Sequence, residues 1–401
     1  MQLRSILRPW LAALAASAAL LAACGGGGSS SSSSEPGMLR VALTDAPACG
    51  YEQVNVTVEK VRVHRSSTAD DADAGWSEVV LNPARRVNLL DLTNGVLAEL
   101  GQTELPAGTY SQLRLQLASN GNSAPYANSI VLEGEVDEIP LDTPSAQQSG
   151  LKMNLNLTVE PNELADLVLD FDACKSVVKR GNSGRYNLKP VVSVLPRVRL
   201  DGLVAEGYVA PAIALGTTSV SLQQGGVPVR TTWPAIDGRF VLYPVPAGIY
   251  DLVVSAEGRV TAVMTGVPIS ESSRTFVTPP GTFIDPTEGT PRLATGVVSI
   301  SGSTDVPLAT VIATQVVDGT TVERGARNVD ADTGGYALSL VTGAPIFVAY
   351  DPLAVALNFS EDVGNAGKFQ LTAVAEGRTP VSEPIDVTGG DDLDRPLVFA
   401  P

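Results

Sequence analysis

From residue 38 onward the sequence is cut into short runs rich in β-branched residues, each closed by Gly, Pro, Asn or Asp. That rhythm leaves room for little except stacked strands. The clearest run is Val54-Asn55-Val56-Thr57-Val58-Glu59-Lys60-Val61-Arg62-Val63-His64. Its valines alternate with polar residues, so one face suits a core and the other suits water. The alternation slips at Glu59-Lys60, which predicts a β-bulge there. Similar runs recur at 39–43, 76–81, 86–92, 110–117, 151–159, 166–172 and 186–198. Few stretches carry a helical pattern; residues 93–101 are the best candidate and predict about two turns. Strands this numerous, with no helices between them, predict a mainly β chain of antiparallel β-sandwich domains in series.

Charge narrows the function classes. Asp and Glu number 43 against 27 Lys and Arg, a net of −16 at pH 7. Such a surface repels nucleic acid and anionic headgroups, which excludes DNA and RNA as partners. The length suffices for two or three domains.

The N-terminus reads as an export signal. Arg4 and Arg8 precede an Ala/Leu-rich run at 11–21 that is too short to span a bilayer. The run closes on Leu21-Ala22-Ala23-Cys24 and then opens into Gly25–28 and Ser29–34. That junction resembles a bacterial lipobox. The resemblance implies cleavage after residue 23, a diacylglycerol on Cys24 and a membrane anchor through lipid. Residues 24–37 would then form a disordered Gly/Ser tether. Gly25 stands where an inner-membrane retention Asp would sit, which by the same resemblance favours the outer membrane of the cell envelope. With Cys24 lipidated, Cys49 and Cys174 remain. An exported even pair predicts a disulfide, and the alternative is two buried thiols. Closing a loop of roughly 125 residues would stabilise the fold by about 5 kcal/mol in the chain-entropy picture.

Several blocks carry a family resemblance. They are residues 38–47, the 51–64 strand, Val87-Asn88-Leu89-Leu90-Asp91-Leu92, Pro106-Ala107-Gly108-Thr109-Tyr110 and Asp170-Phe171-Asp172. In order and spacing they resemble a bacterial lipoprotein domain of unknown function, numbered 4382, over 38–200. The resemblance implies a β-sandwich in an exported setting and assigns no activity. Further on, residues 246–259 align without gaps on 365–378, with 7 of 14 positions identical. Each copy follows a hairpin-like turn, at 237–240 and 332–336, and the second has extra residues between turn and strand. Repeats this long mean two similar domains, not a solenoid. The pattern of turn, strand and Ala-Gly-x-aromatic resembles the carboxypeptidase regulatory-like (prealbumin-like) sandwich, at 201–285 and 290–401. That class also includes starch-binding-like modules. Residues 278–291 read as an interdomain linker.

Residues able to carry chemistry are sparse. His64 is the sole histidine. It has serines and Asp70, Asp71 and Asp73 nearby, but the sequence has no nucleophile elbow, so a solvated strand-end histidine is the plainer reading. One histidine cannot anchor a zinc shell. Asp170 and Asp172 alternate around Phe171, which puts their carboxylates on one face about 6.5–7 Å apart. That separation suits an inverting glycosidase. It also suits calcium bound with Asp45, since the available ligands are hard oxygens, or two locally capped aspartates. Asp330-Ala331-Asp332-Thr333-Gly334 resembles a fragment of a calcium loop but lacks the closing acid, and reads as a turn. Trp76, Tyr110 and Trp233 are either a sugar-stacking platform or core.

These features predict a non-enzymatic binding module at the envelope, for carbohydrate or another surface polymer. The alternatives are a structural or adhesin-like scaffold that engages envelope proteins, and a carboxylate-based glycan-cleaving enzyme.

Overall fold

In the computed structural model the described residues are 35–46, 50–143, 149–197, 202–214 and 217–401. The leader, most of the tether, Cys24 and Cys49 lie outside them. Strands dominate the rest, as the alternation demands.

The first segment supplies β1 (Gly37–Ala46), β2 (Tyr51–His64), β3 (Ser77–Asn88), β4 (Ala98–Leu105), β5 (Gly108–Leu117) and β6 (Ser129–Leu132). It continues with β7 (Ile139–Asp142), β8 (Leu151–Val159), β9 (Leu164–Asp172), β10 (Val177–Arg180), β11 (Arg185–Leu188) and β12 (Val192–Pro196). One sheet has the order β12-β9-β1-β4; the facing sheet runs β10-β11-β7-β6-β2-β5-β8, with β3 also on β2. Leu39, Val41 and Leu43 of β1 and Phe171 of β9 share one core with Val54, Val56, Val58, Val61 and Val63 of β2. The predicted bulge is present, because Glu59 is skipped in the pairing of β2 with both β3 and β5.

The sheets are antiparallel-rich, as expected, and a parallel pairing in the first segment, β1 on β9, sets Thr44 opposite Asp170. One expectation is corrected here: no helix forms at 93–101. Asn94 and Gly95 take positive φ angles of 57° and 76°, which ends helical winding, and β4 starts at Ala98.

The second and third segments duplicate one topology. The second holds β13 (Ala205–Tyr208), β14 (Ser219–Gln224), β15 (Val227–Thr232), β16 (Arg239–Leu242), β17 (Gly248–Ser255), β18 (Ala262–Ile269) and β19 (Thr275–Phe276). The third holds β20 (Pro291–Ile300), β21 (Ala309–Val317), β22 (Thr320–Asn328), β23 (Gly335–Val341), β24 (Ile346–Ala349) and β25 (Ser360–Glu361). It ends with β26 (Lys368–Ala375), β27 (Val381–Asp386) and β28 (Leu397–Phe399). The small sheets β16-β13-β19 and β23-β20-β28 match strand for strand, as do β15-β14-β17-β18 and β22-β21-β26-β27. The turns match as well. Gly238 and Gly334 have φ of +86° and +71°, and a Cβ at either would sit 2.0 or 2.4 Å from the carbonyl oxygen of Val209 or Val298. Only glycine serves there.

The extra residues of the second copy have a defined place. They form β24 and β25, and β24 pairs in parallel with β18, extending the second segment's sheet. The segment read as a linker is likewise tied down: Ala210 N–H donates to the Ile284 carbonyl at 3.0 Å, and Val260 N–H to that of Thr287 at 3.0 Å.

Candidate functional site

β22 is the edge strand of its sheet, and an exposed edge must find partners. Here the neighbouring sandwiches supply them. The Gln223 side chain meets the Glu323 backbone twice, donating to its carbonyl at 2.8 Å and accepting from its N–H at 2.7 Å. The Asn328 amide donates to the carbonyls of Lys175 at 2.6 Å and Val177 at 3.2 Å. β22 thereby joins all three segments.

Beside it lies a cavity of ≈ 380 Å³, walled by the turn Ala173–Ser176 from the first segment, by β14, β15 and Ser255 from the second, and by β22 from the third. Its cationic groups fall into two sets, and Glu133 and Glu257 also line it. In the first, Lys175 Nζ lies 3.3 Å from Glu323 and 3.5 Å from Asp172. Burial opposes the lysine's charge, but the two carboxylates outweigh it and raise its pKa. In the second, Arg324 and Arg327 have no carboxylate partner among the described residues. Arg324 donates to the carbonyls of Ala256 at 2.8 Å and Arg259 at 3.4 Å, while its Nε is buried without an acceptor among the described residues. Burial, with Arg327 adding like charge, pushes its pKa down to about 10, so it stays cationic at neutral pH. Arg327 is exposed toward the cavity, yet the surrounding protein desolvates it enough to lower its pKa too, with Tyr51 opposing.

Local backbone explains why both arginines reach one space. Ala313 pairs with Gly325 and Thr314 with Glu323, so Arg324 is the extra residue of a bulge. A bulge turns a side chain that would otherwise point to the opposite face. Gly325 keeps the wall open, since a Cβ there would meet nothing within 4 Å. Trp233 lines the same cavity and packs its other side on the first core.

The aspartates expected to bind calcium do not converge on a metal. Among the described residues no group of three or more His, Cys, Asp or Glu is arranged to hold one. Their charges are used otherwise. Asp170 ion-pairs with Arg230, whose other nitrogen donates to Thr44 Oγ1 at 2.9 Å. Asp172 accepts from the N–H of Lys175 at 2.9 Å, capping the turn. Asp45 is fully buried and accepts from the Ala173 N–H at 3.1 Å, and its Oδ2 has no hydrogen-bond partner among the described residues. Burial first, then Asp172 and Asp170, push its pKa well up. Burial also raises that of Asp170, against the pull of Arg230. The turn reading at Asp330 holds: its Oδ1 accepts from the N–H groups of Asp332 and Thr333 at 3.0 and 2.9 Å.

The other candidates are placed structurally. His64 Nδ1 accepts from the Ser66 N–H at 2.9 Å and Nε2 faces the Ala74 carbonyl at 3.1 Å. Asp71 pairs with Arg62 instead, and Asp73 accepts from the Asp70 N–H at 2.9 Å, so no Ser–His–Asp array forms. Trp76 carries the guanidinium groups of Arg62 and Arg114 at 4.5 and 5.0 Å, which removes it as a sugar platform. Tyr110 is core, with its hydroxyl donating to the Pro106 carbonyl at 2.7 Å. Cys174 is disulfide-bonded.

Sequence reasoning passed over Arg230, Arg324 and Arg327. A missed signal was Glu323-Arg324-Gly325-Ala326-Arg327, two cations around a glycine inside a strand.

Residues 36–190 match the family described as Domain of unknown function (DUF4382), the segment that forms the first sandwich. No curated protein matches the chain. Among solved structures, the TIE protein of Bacillus anthracis is 12% identical over 91% of this chain and 51% of that one, with a TM-score of 0.19. This chain thus spans about half of that protein's length. A streptococcal ancillary pilin is 9% identical over 92% of this chain and 100% of that one, with a TM-score of 0.19. The major pilin subunit BcpA of Bacillus cereus is 10% identical over 91% and 99%, with a TM-score of 0.16.

Proposed function

We propose that the chain is a non-enzymatic binding protein of the bacterial envelope, moored by lipid on Cys24, that takes up carbohydrate or another surface polymer at the junction of its three sandwiches. The observation that carries this reading is the cavity of ≈ 380 Å³ walled by all three segments. Its size falls in the range of small-ligand sites, and such sites favour domain boundaries. Its charged groups suit binding better than catalysis. Of the four carboxylates in its wall, those of Asp172 and Glu323 are paired with Lys175, and the arginines are not proton donors at neutral pH. The resemblance of the second and third segments to prealbumin-like sandwiches, a class with glycan-binding members, points the same way. In this reading Cys49 is the disulfide partner of Cys174.

The experiment is retention of the full-length lipidated protein, in detergent, on a panel of immobilised polysaccharides, with Trp233→Ala beside it. The reading predicts selective retention that Trp233→Ala weakens. Uniform failure to bind contradicts it. The scaffold alternative draws on the interlocking of the segments, and its mark would be an envelope protein cross-linked to the chain in intact cells.

A further inference from the structure

We infer that the junction cavity binds an anionic saccharide, with the ligand's carboxylate held between Arg324 and Arg327. This rests on the reading of the junction as the binding site and adds the class of ligand.

Three observations converge. First, the two arginines lack a counter-ion in contact, although Glu133 and Glu257 also line the cavity. The chain has 43 acidic side chains, yet none of them ion-pairs with Arg324 or Arg327 among the described residues. A buried guanidinium without a counter-ion is costly, and an incoming anion removes that cost. Arg324 Nε is a donor already desolvated and still unused. Second, geometry gathers the two cations. The bulge at Arg324 brings its side chain to the wall that Arg327 also lines, and Gly325 between them leaves the space a ligand needs. Planar guanidinium forks match a planar carboxylate through paired N–H donors. Third, the remaining wall suits a sugar ring. Trp233 offers an apolar plane, and the hydroxyls of Ser219, Thr231 and Ser255 line the cavity with no hydrogen bond of their own among the described residues. A bare inorganic anion would leave these groups idle, whereas a uronic acid uses a stacking face, hydroxyls and a carboxylate together.

The test is titration calorimetry on the full-length protein in detergent with three probes: a glucuronate oligosaccharide, its neutral glucose counterpart and inorganic phosphate. Arg327→Gln, an exposed position, removes one cation. Gly325→Leu fills the space without altering charge, at a backbone conformation open to any residue. The inference predicts saturable binding of the glucuronate probe. The neutral probe and Arg327→Gln should each weaken it by about tenfold, since a charge-assisted contact is worth about that much. Gly325→Leu should abolish it. If both sugars bind equally, Arg327→Gln has no effect and Gly325→Leu still blocks, the junction is a binding site and the anionic assignment is wrong. Phosphate binding as tightly as glucuronate, with the same dependence on Arg327, overturns the saccharide assignment. If no probe gives heat and Gly325→Leu changes nothing on the polysaccharide panel, the binding reading falls with it.

Discussion

Arg230 of the second sandwich and Asp170 of the first meet as a buried ion pair, with side chains only 1% and 9% exposed. Thr44 completes the node by accepting from Arg230 and donating to the Leu92 carbonyl at 2.9 Å. A salt bridge of this kind adds little net stability when intact but costs much when half of it is removed. Arg230→Met should therefore destabilise the protein by about 3–5 kcal/mol, because it strands a carboxylate in the interface. The double change with Asp170→Asn should recover most of that loss. Chemical denaturation of the three variants checks this, and equal losses in single and double variants would contradict it.

Asp45 makes stability depend on pH in an unusual direction. Its folded pKa lies above its unfolded one, because burial and its neighbouring carboxylates disfavour the charge. The native state then keeps a proton that the unfolded chain releases once pH passes about 4. Stability contributed by Asp45 is full below that point and declines as pH climbs to the raised value. Asp45→Asn keeps an acceptor for the Ala173 N–H and removes the titration. The difference between parent and variant melting curves should widen in the variant's favour with rising pH. A difference independent of pH counts against this account.

The motif Pro106-Ala107-Gly108-Thr109-Tyr110 is answered by Pro246-Ala247-Gly248-Ile249-Tyr250, and the structure shows why. In each, the tyrosine hydroxyl donates to the proline carbonyl four residues back, at 2.7 and 2.8 Å. The third sandwich has Phe369 at this place and lacks the bond. Tyr110→Phe and Tyr250→Phe should each cost about 1 kcal/mol, the net worth of one such hydrogen bond. Thermal unfolding measures it, and unchanged midpoints in both would show the bonds to be incidental.

What could be read in advance follows the range of the interactions. Alternation in β2, the slip at Glu59 and the 246–259 repeat are local patterns, and they foretold strands, a bulge and a duplicated sandwich. The partners of Asp170 and Asp172 are not local. Spacing puts two carboxylates on one face, but only the folded chain brings Arg230 and Lys175 to neutralise them, so the local pattern points to calcium where a cation side chain sits. The insert at 346–361 showed as extra length, with nothing to say that it extends the neighbouring sheet. The helical pattern at 93–101 lost to two left-handed residues. Asn94 is held there by Thr232, whose hydroxyl accepts its N–H at 2.8 Å.

The proposed Cys49–Cys174 bridge closes a long loop, and its removal by Cys174→Ser should cost about 2–5 kcal/mol. Peptide mapping without reductant should recover the two cysteines in one fragment. A native, unreduced protein in which Cys174 reacts with a thiol reagent would exclude the bridge.

The ligand cavity is tested most directly by the tryptophan that lines it. In Trp76→Phe the folded segments keep Trp233 as their sole indole. Adding a glucuronate oligosaccharide to this protein should change its fluorescence saturably, and Gly325→Leu should erase the change. A protein that holds the oligosaccharide while Trp233 emission stays constant would place the ligand elsewhere and contradict the account.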